Sequence, residues 1–168
     1  MHSFPSHDKN RESISLRLIE PRDNAAVERV IRSCLREFGA DHEGTAWVDP
    51  DLGRFSEVYA PSDSAYWVAE DAGGQIVGGA GIGPMTDNVC ELQKMYCLPC
   101  ARGTGTAQRL WELCLDFARE HYSACYLETL ENMTAARRFY EKNGFHRVYE
   151  PVAETAHFAC DVRYLREL

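Results

Sequence analysis

Between residues 88 and 130 the chain reads as strand, glycine-bearing loop, helix and strand in direct succession, and this order constrains the fold more than any other feature. Residues 88–98 carry a strand pattern that stops at Pro99. After a loop, Ala107, Leu110, Trp111, Cys114, Leu115 and Ala118 recur at helical spacing, and residues 124–130 return to a strand. A strand–helix–strand unit within one sheet implies a right-handed crossover. The preceding segment is built differently. Residues 64–70 and 75–84 form two strands joined across Asp71-Ala72-Gly73-Gly74, a strong hairpin signal, and a tight turn at Thr86-Asp87 leads into the third. The middle strand carries Gly78, Gly79, Gly81 and Gly83; glycines inside a strand mark bulges or the close approach of another group.

The flanking segments complete the pattern. Residues 14–19 alternate as a strand that Pro21 ends. Asp23 is placed to cap a helix whose apolar face is Val27, Val30, Ile31, Cys34, Leu35 and Phe38, closed by Gly39. Residues 40–61 are less regular. Asp49-Pro50-Asp51 opens a short helix through Tyr59, and Trp47, Phe55 and Tyr59 are either core or pocket lining. Asn132 is placed to cap a last helix carrying Ala135, Ala136, Phe139 and Tyr140 and ending at Gly144. Residues 145–150 and 156–165 read as closing strands. The expected class is α/β (α+β): one mixed central sheet of six to seven strands, antiparallel at first, flanked by about four helices. A doubly wound sheet would alternate strand and helix from the start. Residues 1–12 are polar and read as a flexible tail, leaving residues 13–168 as a single domain.

Lys and Arg number 18 against 26 Asp and Glu, a net charge of −8, which argues against a nucleic-acid partner. No stretch approaches the roughly 20 apolar residues of a membrane span, and no apolar run follows the polar start. Seven irregularly spaced cysteines suit a reduced, cytoplasmic protein with buried thiols. Cys97 and Cys100 form a CxxC, but Cys114 and Cys125 have the wrong spacing for a second zinc pair, so no metal is expected. The two thiols read as incidental rather than redox-active.

Arg102-Gly103-Thr104-Gly105-Thr106-Ala107 lies between a strand and a helix start. Small residues expose backbone N–H groups there, and the helix end adds partial positive charge, a setting that binds phosphate. The loop lacks the Gly-Lys-Ser/Thr of a Walker A motif and the third glycine of a dinucleotide fingerprint. Arg102-x-x-Gly105-x-Ala107 resembles the Q/R-x-x-G-x-G/A signature of the GCN5-related N-acetyltransferases, the GNAT family. Residues 91–99 resemble the strand that enters that loop, and Asn132, Ala135, Phe139-Tyr140 and Gly144-Phe145 resemble the family's second block.

The resemblance implies acetyl-CoA as co-substrate and direct transfer to a primary amine in a ternary complex. It implies pyrophosphate on the amides of Arg102, Gly103, Thr104, Gly105, Thr106 and Ala107, with Arg102 adding a charged contact. It implies pantetheine pairing with the backbone of Met95 and Cys97, one of whose N–H groups stabilises the thioester oxygen. Tyr140 is then the acid for the departing thiolate, and otherwise a core aromatic. Glu91 is the candidate base, and otherwise a sheet-surface carboxylate. Glu128 is a second carboxylate facing the same cleft. Asn132 contacts CoA, caps the helix, or does both. His157, Cys160 and Asp161 fall on the last strand near the expected acceptor site, but direct transfer needs no Cys–His nucleophile. Asp41, His42, Glu43, Asp49, Asp51 and Glu57 suit a cationic acceptor, and equally a solvated face. A small-molecule amine is favoured, because no module is spare for docking a protein. Exposed edges of the final strands admit a homodimer. A non-catalytic acyl-CoA sensor and acyl transfer to oxygen are the alternatives.

Overall fold

The chain reverses at Asp71, whose Oδ1 accepts the N–H groups of Gly73 and Gln75, both at 2.9 Å, while Gly74 takes φ +80°. A computed structural model describes residues 13–168, and the expected N-terminal tail lies outside the described residues. The turn joins β2 (Ala65–Glu70) to β3 (Ile76–Pro84), with β1 (Ser15–Leu18) outside β2 and β4 (Val89–Cys97) inside β3. Beyond them come β5 (Ala124–Thr129), β6 (His146–Val148) and β7 (Val162–Glu167). Together they form one seven-stranded sheet of order β1-β2-β3-β4-β5-β7-β6. Only β4 and β5 pair in parallel, so the sheet is mixed as the strand–helix–strand order requires. The helices are α1 (Asn24–Glu37), α2 (Phe55–Val58), α3 (Thr106–His121) and α4 (Thr134–Lys142). None is long and apolar enough to cross a membrane among the described residues.

The helices cover both faces of the sheet. On one face Val27, Ile31 and Leu35 of α1 pack with Phe55, Tyr59, Tyr66 and Val68. On the other, Leu110, Trp111 and Cys114 of α3 and Tyr140 of α4 pack with Ala80, Ile82, Cys90 and Leu92. The glycines of β3 have a definite reason. Phe55, Tyr59 and Tyr66 cluster with ring centroids 5.0–5.2 Å apart directly over that strand. A Cβ on Gly81 would stand 2.5 Å from Tyr66 and 2.9 Å from Tyr59.

Several local expectations are corrected. Asp23 does not cap α1 with its side chain; it lies in helical conformation. Its carboxylate instead accepts the Glu20 N–H at 2.8 Å and two bonds from Arg17 at 2.6 and 2.9 Å. Arg17 reaches Glu70 as well, at 2.7 Å, which ties β1 to β2 and to the helix start. Asn132 does not cap α4 either. Met133 stands at the cap, and the Asn132 amide donates to the Phe38 carbonyl at 3.1 Å. The helix expected to run to Tyr59 is the four-residue α2, with Phe55 and Tyr59 in the core and Trp47 stacked beneath Arg32 and Arg36. The closing strands are shorter than the sequence pattern. Residues 149–161 leave the ladder, so His157, Cys160 and Asp161 lie in a loop rather than on the last strand. That loop is tied elsewhere: the Ala159 N–H donates to Gly44 at 2.9 Å, and the Asp161 carboxylate accepts the Glu131 N–H at 3.0 Å.

The Gly81 contact sets a first expectation. Gly81→Ala drives a methyl group into the Tyr59–Tyr66 cluster and costs about 1–3 kcal/mol in stability, read from the urea midpoint.

Candidate active site

Lys94 is the only described residue other than glycine with positive φ, at +50°. It marks a bulge in β4: Gly79 pairs with Tyr96 and Gly81 with Gln93, so β4 carries an extra residue against β3. Left-handed backbone at a side-chain-bearing residue costs roughly 1–2 kcal/mol and needs partners to hold it. Tyr66 Oη donates to the Lys94 carbonyl at 2.8 Å, and Lys94 Nζ lies 2.5 Å from Asp49. His157 Nε2 sits 2.9 and 3.0 Å from the two oxygens of the same Asp49. Asp49 therefore ties the bulge to the loop before β7. Burial raises the Asp49 carboxyl, but His157 and Lys94 outweigh it and hold the group below its ordinary value.

The sheet opens at this bulge. β4 pairs with β5 only from Val89 to Glu91, and beyond that β5 continues beside β7 alone. The Leu98 N–H donates to Val77 at 2.8 Å, so by strand alternation the Cys97 N–H and carbonyl face the opened side. A cavity of about 790 Å³ fills the opening. Glu91, Met95, Cys97, Arg102, Gly103, Gly105, Ala107, Glu128 and Tyr140 all line it; Thr104, Thr106 and Asn132 do not.

One end of the cavity suits an anion. Gly103 and Gly105 take φ +72° and +85°, and a Cβ on either would meet nothing within 4 Å, so no side chain there fills the adjoining space. Gly105 is the cap of α3, whose first amides have no partner one turn back. Thr104 and Thr106 shape the turn from behind: Thr104 Oγ1 donates to the Ala101 carbonyl and lies 2.7 Å from Thr106 Oγ1. Arg102, expected to add a charged contact, has its side chain engaged with other partners. Its guanidinium grips Glu37 at 2.6 and 2.7 Å, Nε donates to the Cys97 carbonyl at 2.9 Å, and its own amide donates to Pro99 at 3.2 Å. Glu37 draws Arg102 in because the loop and the end of α1 meet there.

The other end is acidic. Glu91 Oε1 accepts from Gln93 Nε2 at 2.7 Å, and Gln93 Oε1 accepts from Tyr59 Oη at 2.8 Å. Burial pushes the Glu91 carboxyl up; Gln93 and Lys94 oppose the rise and the Glu128 charge adds to it. The Glu128 side chain is only 3% exposed, with Arg163 Nε at 3.6 Å. Burial raises it too, while Thr155, Arg163 and His157 pull the other way, Thr155 without hydrogen-bond geometry. Tyr140 serves core and cavity together. It packs 6.0 Å from Phe145 and 6.1 Å from Tyr164, yet its ring also lines the opening. Burial, with the Cys97 thiol and Tyr164 nearby, raises its hydroxyl well above the usual value, so it stays protonated at neutral pH. Burial pushes the Cys160 thiol up to about 11, and His157 is bonded to Asp49, so these two do not form a nucleophile pair. Of the acidic residues in the early helical region only Asp49 joins the cluster. Asp41, Glu43 and Glu57 are exposed, and Asp51 and Glu57 pair with Arg54. Nothing in the sequence marked Gln93 or the Lys94 bulge, since neither depends on a local pattern.

Residues 62–147 match the acetyltransferase (GNAT) domain family. The uncharacterised N-acetyltransferase YjgM of Escherichia coli is 41% identical over 162 residues, covering 94% of this chain and 96% of that protein. N-acetylaspartate synthetase of Xenopus tropicalis is 40% identical over 101 residues, covering 58% of this chain and 37% of that protein. A GNAT-family acetyltransferase of Staphylococcus aureus superposes with a TM-score of 0.82 at 22% identity, covering 92% of this chain and 99% of that one. The PaiA N-acetyltransferase of Thermoplasma acidophilum, solved in complex with coenzyme A, superposes at 0.70 with 17% identity, covering 93% and 99%.

Asp49→Ala leaves the half-buried Lys94 ammonium unpaired and lowers stability by about 3 kcal/mol at pH 7. Because Asp49 sits below its ordinary value, its contribution is present above the unfolded pKa of about 3.9 and is lost as pH falls through the lower folded value. Denaturant unfolding of both proteins as a function of pH reads the two numbers.

Proposed function

The chain belongs to the GNAT family of N-acetyltransferases, and we propose that it moves an acetyl group from acetyl-CoA directly to the primary amine of a small molecule within a ternary complex. The observation that carries this reading is one cavity that joins the opened β4 edge, the glycine turn at the start of α3, two carboxylates and Tyr140. The named product of N-acetylaspartate synthetase, a small N-acetylated compound, favours a small acceptor. All seven cysteines are free thiols, which fits a reducing, cytoplasmic setting. The short edge strand β6 is where a second copy would pair to give a homodimer.

Acetyl-CoA supplies an acyl group activated as a thioester. In this reading the turn at Gly103 and Gly105 and the first amides of α3 hold the pyrophosphate, with no basic side chain required. Arg102 reaches a phosphate only by leaving Glu37. The Met95 and Cys97 backbone holds the pantetheine, and a cleft-facing N–H there stabilises the thioester oxygen as it gains charge. Glu91 takes the proton of the attacking amine, directly or through water. Its buried setting suits a base, because a carboxyl raised toward the working pH accepts a proton more readily than a solvated one. Tyr140, held protonated by burial, gives its proton to the departing sulfur.

A thiol-release assay with acetyl-CoA and a panel of primary amines tests the reaction; CoA release with one class of amine is expected, and none from any amine contradicts it. Tyr140→Phe lowers kcat about 10²-fold or more while calorimetric acetyl-CoA binding persists; unaltered turnover would remove Tyr140 from the chemistry. Glu91 must be deprotonated to act. In the wild type kcat therefore falls as pH drops through a value above the ordinary glutamate pKa of about 4.3, and Glu91→Gln abolishes that limb along with most of kcat.

A further inference from the structure

The proposed reaction needs one base, and the cavity wall carries two carboxylates in different settings. Glu91 is hydrogen-bonded by Gln93 and has no cation within ion-pair distance among the described residues. Glu128 is the reverse case. Its side chain is 97% buried, and neither oxygen accepts a hydrogen bond among the described residues. Arg163, its register partner on β7, stands behind it with Nε at 3.6 Å and does not line the cavity. The Tyr126 hydroxyl, two residues earlier on the same face of β5, is also buried and unpartnered. A buried carboxylate that makes no hydrogen bond is costly unless a donor completes it, and the guanidinium behind it favours the ionised form. Burial raises its carboxyl, and a positive charge brought against it offsets that cost. Glu91, oriented by Gln93 and without an ion-pair partner among the described residues, is the better placed to accept a proton.

We propose that Glu128 binds the ammonium group of the acceptor and so selects small primary amines, in their charged form, over alcohols and carboxylates of the same shape. The proposal rests on the amine-acetyltransferase reading for the identity of its ligand, but binding at Glu128 does not require turnover. The ammonium N–H groups satisfy the two carboxylate oxygens, and the acceptor then lies on the cavity wall shared with Glu91. The division of labour is separable: loss of Glu128 falls on KM for the amine, whereas loss of Glu91 falls on kcat and its acid limb.

The test is a calorimetric titration of hexylamine, hexan-1-ol and hexanoate into the CoA-bound protein at pH 7. The three probes share one chain and differ in charge. The CoA titration that precedes each run shows that every variant is folded. Hexylamine is expected to bind more tightly than the other two, to lose at least tenfold in affinity in Glu128→Gln, and to recover part of it in Glu128→Asp. Equal hexylamine affinity in wild type and Glu128→Gln overturns the proposal. So does hexan-1-ol binding as tightly as the amine, or a wild type that does not bind hexylamine. Binding that depends on Glu128 but yields no CoA release with acetyl-CoA upholds the anchor and contradicts the transfer reaction instead. An acid limb of kcat that disappears in Glu128→Gln and survives in Glu91→Gln makes Glu128 the base and also overturns the proposal.

Discussion

Lys94, held in left-handed backbone conformation, sets the shape of the whole site. The extra residue it adds to β4 turns the strand away from β5 just after their parallel pairing ends at Glu91. Without that divergence the sheet would close, and the β4 backbone would be spent on a ladder. The strain is held from two sides, by the Tyr66 hydroxyl on the Lys94 carbonyl and by Asp49 on its ammonium. Asp49 also fixes His157, so one carboxylate governs both the opening of the sheet and the loop beside the acidic end of the cavity. Gly79 and Gly81 of β3 belong to the same arrangement, since they leave room for the ring of Tyr66.

The cavity is polarised along its length. At one end stands the N-terminus of α3, the positive end of a 16-residue helix. At the other, Glu91 and Glu128 add negative charge, and burial raises both carboxyls. The two ends therefore favour groups of opposite charge. Tyr140 and Cys97 also line the cavity. Arg102 bridges the two regions in this state, bound to Glu37 and to the Cys97 carbonyl, which makes the end of α1 part of the cleft wall.

Elements governed by local periodicity were legible in the sequence. The Asp71–Gly74 turn, the apolar faces of α1 and α3 and the single parallel crossover all follow from spacing, because spacing alone decides which face is buried. Residues whose role is decided by a distant partner were not. Asp23 and Asn132 look like helix caps, yet Arg17 and the Phe38 carbonyl use their side chains instead. Residues 156–165 read as one strand, but bonds from Ala159 to Gly44 and from His157 to Asp49 hold residues 156–161 outside the ladder. The motif residues Glu91, Gly105 and Tyr140 were visible because a loop signature and its spacing carry them. Lys94 and Gln93 were not, since a lysine in a left-handed bulge and a glutamine beneath a carboxylate leave no mark on composition or period.

Amide hydrogen exchange with and without acetyl-CoA tests most directly the idea that the bulge opens a cofactor cleft. Added acetyl-CoA is expected to slow exchange at Cys97 and across residues 103–108, the cleft-facing strand edge and the start of α3, while leaving β1 and β2 unaltered. Unchanged exchange across both segments, or protection confined to another part of the sheet, would contradict it.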